Sequence, residues 1–191
     1  EDADDLIGIQ GGYYKDPGRS ININFAFIPF YYDKGNSYQP SKQIIERQLS
    51  LYSEENLGGC ISNLNFPGFD IEYKSSSTKT TIRNKEIDFN TDLSMNIKKG
   101  DSTTDFSIEK YPITIKSPLG DAIEIATYIT DSHKDDPDLI CISCVSALAE
   151  ARDLFVDLAD FESTSPTTLV VISEEREGTT PYIFEFLNRY S

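Results

Sequence analysis

The chain has 191 residues, 38% of them hydrophobic and 12% aromatic, with 32 acidic and 17 basic side chains and a formal net charge of -15. That length suits one domain, spanning 1–191, with a genuine core, and the composition excludes wholesale disorder. The charge repels phosphate backbones and anionic headgroups, which argues against nucleic-acid binding and against adsorption to acidic lipid; cationic partners or divalent ions fit better.

No apolar run approaches the roughly 18 residues of a membrane span. The start, Glu-Asp-Ala-Asp-Asp, carries the opposite charge to a secretion signal and reads as a mature or excised form with something upstream missing. No Asn-x-Ser/Thr sequon occurs.

In chain order, Gln10-Gly11-Gly12 predicts a tight turn before the first strand. Residues 20–32, SININFAFIPFYY, read as one strand in which Pro29 marks an edge or an end, and Phe25, Phe27, Phe30, Tyr31 and Tyr32 read as core packing before a binding platform. A helix over 40–56 follows from Ile44, Ile45, Leu49 and Tyr52 on one face, with Lys42, Glu46, Arg47 and Ser50 facing out and Gly58-Gly59 as the stop. From Phe69 to Lys116 the chain reads as short strands, FDIEY, TTIRN, EIDFNTDLSMNIKK, DFSIEKY and PITIK, with turns at Ser75-Ser76-Ser77 and Gly100-Asp101-Ser102. A helix over 121–131 comes next, then an acidic loop, DSHKDDPD. Asp138 is the expected N-cap of a helix running from Leu139 to about Arg152, its inner face made by Ile140, Cys144, Ala147, Leu148 and Ala151. Three strands close the chain, around Phe155 to Phe161, TTLVVIS and YIFEF. The predicted class is α+β, a mostly antiparallel sheet with two or three helices.

Sites are sparse. There is no glycine-rich phosphate loop, nucleophile elbow or paired-ligand metal motif, so no catalytic or cofactor-binding residue is assigned and the balance leans away from an enzyme. Asp131, Asp135, Asp136 and Asp138 offer hard oxygen ligands for calcium, although a solvated loop capping the next helix explains them as well. His133 among them reads as a surface histidine. Cys141-Ile-Ser-Cys144 reads as packing or a local disulfide before it reads as a redox pair, and adding Cys60 and His133 would make a Cys3His zinc set that lacks the usual second short-spaced pair. The odd cysteine, Cys60 if the other two pair, is unpaired or bonded outside this chain. A hydrolase built on two dispersed carboxylates, in the manner of a glycosidase, is the enzyme alternative.

Ile9-Gln10-Gly11-Gly12-Tyr13, Ile28-Pro29-Phe30, Pro40 through Tyr52 ahead of Leu57 and Cys60, and Tyr182-Ile183-Phe184-Glu185-Phe186 with Arg189-Tyr190 form a pattern spread over most of the chain. In this order of short, degenerate pieces the chain resembles a group of membrane-anchored extracytoplasmic proteins of small-genome, DPANN-type archaea with no established activity. The resemblance implies a cell-surface domain for adhesion, envelope structure or partner binding, attached to the membrane through an upstream anchor. It further implies that Cys60 pairs upstream and that Cys141 and Cys144 bond to each other. It carries no catalytic residue, and it leaves the oligomeric state and the partner's identity open.

Overall fold

A computed structural model describes residues 2–23, 26–64, 66–135, 140–162, 166–178 and 180–189. Among them the order is α1 (Asp2–Ile9), β1 (Ser20–Ile23), β2 (Ala26–Asp33), β3 (Asn36–Ser37), α2 (Lys42–Ser62), β4 (Asp70–Ile82), β5 (Glu86–Lys99), β6 (Ser102–Lys116), α3 (Leu119–Asp135), α4 (Ile142–Glu150), β7 (Phe155–Glu162), β8 (Thr167–Glu174) and β9 (Tyr182–Arg189). The class is α+β, with four helices instead of two or three. One sheet runs β1-β2-β9-β8-β7 with β3 beside β2, and the other is the meander β4-β5-β6. The meander is antiparallel throughout; the larger sheet is mixed because β2 and β9 pair in parallel.

The three closing strands form where alternation places them. Elsewhere tertiary contacts override local pattern. The segment 20–32 is a hairpin of two strands, not one, and Pro29 lies inside β2, one residue before pairing with β9 begins at Phe30. Tyr31 is buried and stacks on Phe186, its ring 4.4 Å away, while its hydroxyl donates to the Gly11 carbonyl at 2.8 Å. Phe27, Phe30 and Tyr32 are buried too, so this set is core as expected; Phe25 lies outside the described residues. The Gln10-Gly11-Gly12 turn exists, but it ends a helix that sequence reading missed. Gly11 and Gly12 have φ of 54° and 85°, conformations that suit glycine, and the Gly12 N–H closes the helix onto the Ile7 carbonyl.

The five short strands of 69–116 are three long ones, and Ser75-Ser76-Ser77 lies inside β4, not in a turn. The reason is α2. Along its length Glu46, Ser50 and Glu54 accept hydrogen bonds from the N–H groups of Ile82 (2.9 Å), Thr80 (3.2 Å) and Thr78 (2.6 Å). Four helix residues rise about 6 Å and two strand residues about 6.7 Å, so every helical turn meets the next outward-pointing N–H of the strand. The predicted solvent face of α2 is therefore the face that seals the β4 edge. The helix also runs through Gly58-Gly59 to Ser62. Gly58 serves close packing, since a Cβ there would lie 2.9 Å from the Tyr73 ring.

The core joins both sheets and all four helices: Ile7 from α1, Ile45 and Leu49 from α2, Ile82 and Ile87 from the meander, Ile125 and Ile129 from α3, Val145 from α4, and Tyr182, Phe184 and Phe186 from β9. Gly120 lets α3 enter it. A Cβ at Gly120 would stand 2.1 Å from the Arg83 carbonyl oxygen in the β4–β5 turn. Gly120→Ala should therefore lower stability by about 1–3 kcal/mol, the usual cost of overpacking, as a reduced urea midpoint at unchanged slope.

Candidate functional site

β6 continues the apolar face of β5 only because it carries a bulge. Phe89, Thr91 and Leu93 of β5 stand opposite Ile113, Tyr111 and Ile108 of β6, with a register shift between Thr91 and Leu93. The extra residue falls at Lys110, whose φ is 52° and whose N–H donates to Asp92 Oδ1 at 2.7 Å. Without it Ile108 would point to the opposite side from Tyr111, Ile113 and Ile115.

α2 lies along β4 and leaves the face over β5 and β6 uncovered. Between its flank, Tyr52, Leu57 and Cys60, and the strand side chains runs a groove of about 470 Å³, to whose lining α1 contributes Ala3. None of its lining residues is charged in a chain with net charge -15. Tyr111 and Ile113 are 56% and 46% exposed, an apolar surface left to solvent beside the groove.

A second, polar cavity of about 210 Å³ is lined by Lys85, Lys116, Ser117, Pro118, Asp121, Glu174 and Arg176. Its carboxylates are engaged. Arg152 lies 3.7 Å from Asp121, and Arg176 lies 3.7 Å from Glu174. Burial raises the Asp121 pKa against the pull of Arg152. Asp4 is buried nearby, takes a hydrogen bond from the Ser117 hydroxyl at 2.9 Å, and has its pKa pushed up to about 7 by desolvation.

The residues singled out from sequence do not assemble into one site. Asp131 sits on α3, ion-paired with Lys134 on an exposed face, where a loop was expected. Asp135 ends that helix, and the remaining members of the calcium set, Asp136 and Asp138, lie outside the described residues, as does the expected N-cap role of Asp138. His133 is not a surface residue. It is fully buried, since α3 continues to Asp135 and turns the ring onto β9, where its Nδ1 lies 2.7 Å from Asn188 Nδ2; burial lowers its pKa to about 4. Cys141 and Cys144 lie at disulfide distance, their Cα atoms 5.2 Å apart, at the start of α4. Cys141 takes the N-cap position, α4 begins at Ile142, and its inward face is Val145 and Ala149; Cys144 is exposed. Cys60 is a free, exposed thiol. Among the described residues no three His, Cys, Asp or Glu side chains gather as a metal-holding group, and no helix is long and apolar enough to cross a membrane.

Sequence reading did not single out Leu57, Leu93, Ile108, Tyr111 or Ile113 as a site. Their signal was present as alternation in LSM and PITIK, but the phase change at Lys110 conceals that the two stretches share a face. Comparison with protein-family models, with curated proteins and with solved structures finds no match for this chain.

Proposed function

We propose that this is a non-enzymatic binding domain of an extracytoplasmic surface protein, whose groove receives an amphipathic helix from a protein or cell-surface partner. The observation that carries the reading is the uncharged groove between α2 and the β5–β6 face. Two adjacent strands occupy about 10 Å, the width of one helix, and the eight residues from Ile108 to Ile115 run about 26 Å, the length of a helix of some 17 residues. A helix laid there would pair with α2 and complete the layer on the meander. Net charge selects the partner's other face: a stripe of leucine-like residues in the groove with lysine or arginine outside complements a domain at -15.

The paired Cys141 and Cys144 suit an oxidising compartment, and the resemblance to anchored surface domains fits adhesion or envelope attachment. A carboxylate hydrolase needs a free acidic pair in a cavity, but in the polar cavity each described acid has a basic or hydroxyl partner, and in a further cleft beside α2 Glu46 and Glu54 accept from the N–H groups of Ile82 and Thr78, so the binding reading is preferred.

The test uses a Leu/Lys peptide of about 18 residues patterned at helical spacing, beside a scrambled peptide of the same composition. Calorimetry should show the patterned peptide binding and the scrambled one not. Tyr111→Asp with Ile113→Asp should weaken binding at least about tenfold, or 1.4 kcal/mol. Equal binding of both peptides would reduce the interaction to charge and sink the proposal, as would no binding at all.

A further inference from the structure

α1 lines the groove through Ala3, and α1 is fixed by an unusual junction. Asp4 is 1% exposed, yet among the described residues it would as an anion have a single hydrogen bond, from Ser117 on the β6–α3 connection. A carboxylate has room for about four. Among the described residues the nearest cation, Arg176 on the β8–β9 connection, approaches only to 3.8 Å, beyond hydrogen-bond distance, and the chain's amino terminus adds a further pull toward the anion. That guanidinium is spent elsewhere: on Asp5 at 2.9 Å, on Glu174 at 3.7 Å and over the Tyr182 ring at 5.3 Å.

We propose that α1 is a pH-sensitive strap at the margin of the groove, held down by the junction of Asp4 with Ser117 while Asp4 is protonated and loosened when Asp4 carries a charge that Arg176 does not fully offset. The neutral acid keeps its hydrogen bond with the Ser117 hydroxyl and has no charge to solvate. The anion is left in a dry site with Asp5 repelling it from the same helix, and it gains solvation only if the first turn of α1 lifts. On β9, Tyr182 presents a fully buried hydroxyl with no hydrogen-bond partner among the described residues, so it does not relieve the charge. On β8, Glu174 adds repulsion. Lys85, Lys116 and Asp121 line the polar cavity beyond Ser117 and offer Asp4 no contact. α1 is also held by Ile7 in the core and the close approach of Gly8 to the Ile183 carbonyl in its last turn, and by Ala3 against the core and the Asp5–Arg176 pair in its first. Its first turn carries Asp4 and the groove residue Ala3, and it is the hold of this turn that charge on Asp4 weakens.

The linkage has a definite size. Because Asp4 titrates near pH 7 in the docked state and near 3.8 in the open one, the opening equilibrium of α1 should rise about tenfold per pH unit between those values, where opening releases a proton from the group, and level off above pH 7. Hydrogen exchange of the whole chain from pH 5.5 to 8.5, corrected for intrinsic exchange rates, reads it amide by amide. The expected result is this rise in α1 amides alone, absent from α3, and abolished in Asp4→Asn, which keeps an acceptor for Ser117. An α1 whose opening ignores pH, or follows it equally in Asp4→Asn, overturns the strap. Carbon-13 carboxyl titration of the wild type covers the case of a poorly folded variant: an Asp4 titrating near 4 overturns the proposal, and one titrating near 7 supports it. The groove gives the strap its consequence and so rests on the binding reading, but exchange and titration need no peptide, so the two can fail separately.

Discussion

As pH falls from 6.5 to 4, a His133→Gln variant should gain about 3 kcal/mol of stability on the wild type, measured as the difference between their urea unfolding curves at each pH. The buried imidazole holds its proton only below about 4, whereas an unfolded chain binds one at 6.5. Between those values the unfolded state carries the extra proton, so native stability is complete above 6.5 and declines on acidification. Glutamine has no such proton to lose. Asp4 works in the opposite sense. Its folded pKa is about 7 against 3.8 in the open chain, so its contribution is complete below 3.8 and is lost as pH rises through 7. Asp4→Asn should therefore gain about 4 kcal/mol on the wild type over that interval. The two slopes overlap and oppose each other, so the wild type conceals both, and each substitution uncovers the other group. Variant and wild-type curves that stay parallel from pH 4 to 7 would show that neither group is buried as described.

Removing the acceptors that α2 lends to β4 should be the more damaging change at constant pH. The N–H groups of Thr78 and Ile82 belong to residues only 7% and 1% exposed and are met by Glu54 and Glu46. Glu46→Ala with Glu54→Ala leaves two buried donors without partners, a cost of about 1–3 kcal/mol each and about 2–6 kcal/mol together. Glu46→Gln with Glu54→Gln keeps an amide oxygen at each place and should cost well under half as much. The comparison separates hydrogen bonding from charge, because both pairs remove the same two charges from an acidic domain. If the Gln pair is as unstable as the Ala pair, the carboxylates act through charge and the ladder is incidental.

Alternation in Phe155 to Phe161, TTLVVIS and YIFEF located three strands correctly because both partners of each pairing are close in sequence. Where the partner is remote, local signals misled. Gly58 was read as a stop, yet its missing side chain makes room for Tyr73. Ser75 to Ser77 were read as a turn, yet a strand of serines and threonines is held straight by Glu54 and by Thr91 across the meander, whose hydroxyl lies 3.1 Å from that of Thr78. His133, among acidic neighbours, was read as solvated, and four further residues of helix swing it inward. The pairing of Cys141 with Cys144 was one of the sequence alternatives because separation by three residues is short enough to bridge within a turn. The groove was illegible because it needs a bulge, a helix laid off-centre and an unpaired thiol to meet in space.

The sealed β4 edge also governs how this domain can fail or assemble. A meander with two open margins can add strands at both ends, and each added copy brings a new margin, which is the route to open-ended fibres. Here one margin is terminated by helix side chains, leaving β6 alone, itself interrupted at Lys110 and Pro112. Two copies joined β6 to β6 would have no margin of that sheet left to extend, so the meander has a valence of one: it can be capped, and it cannot propagate.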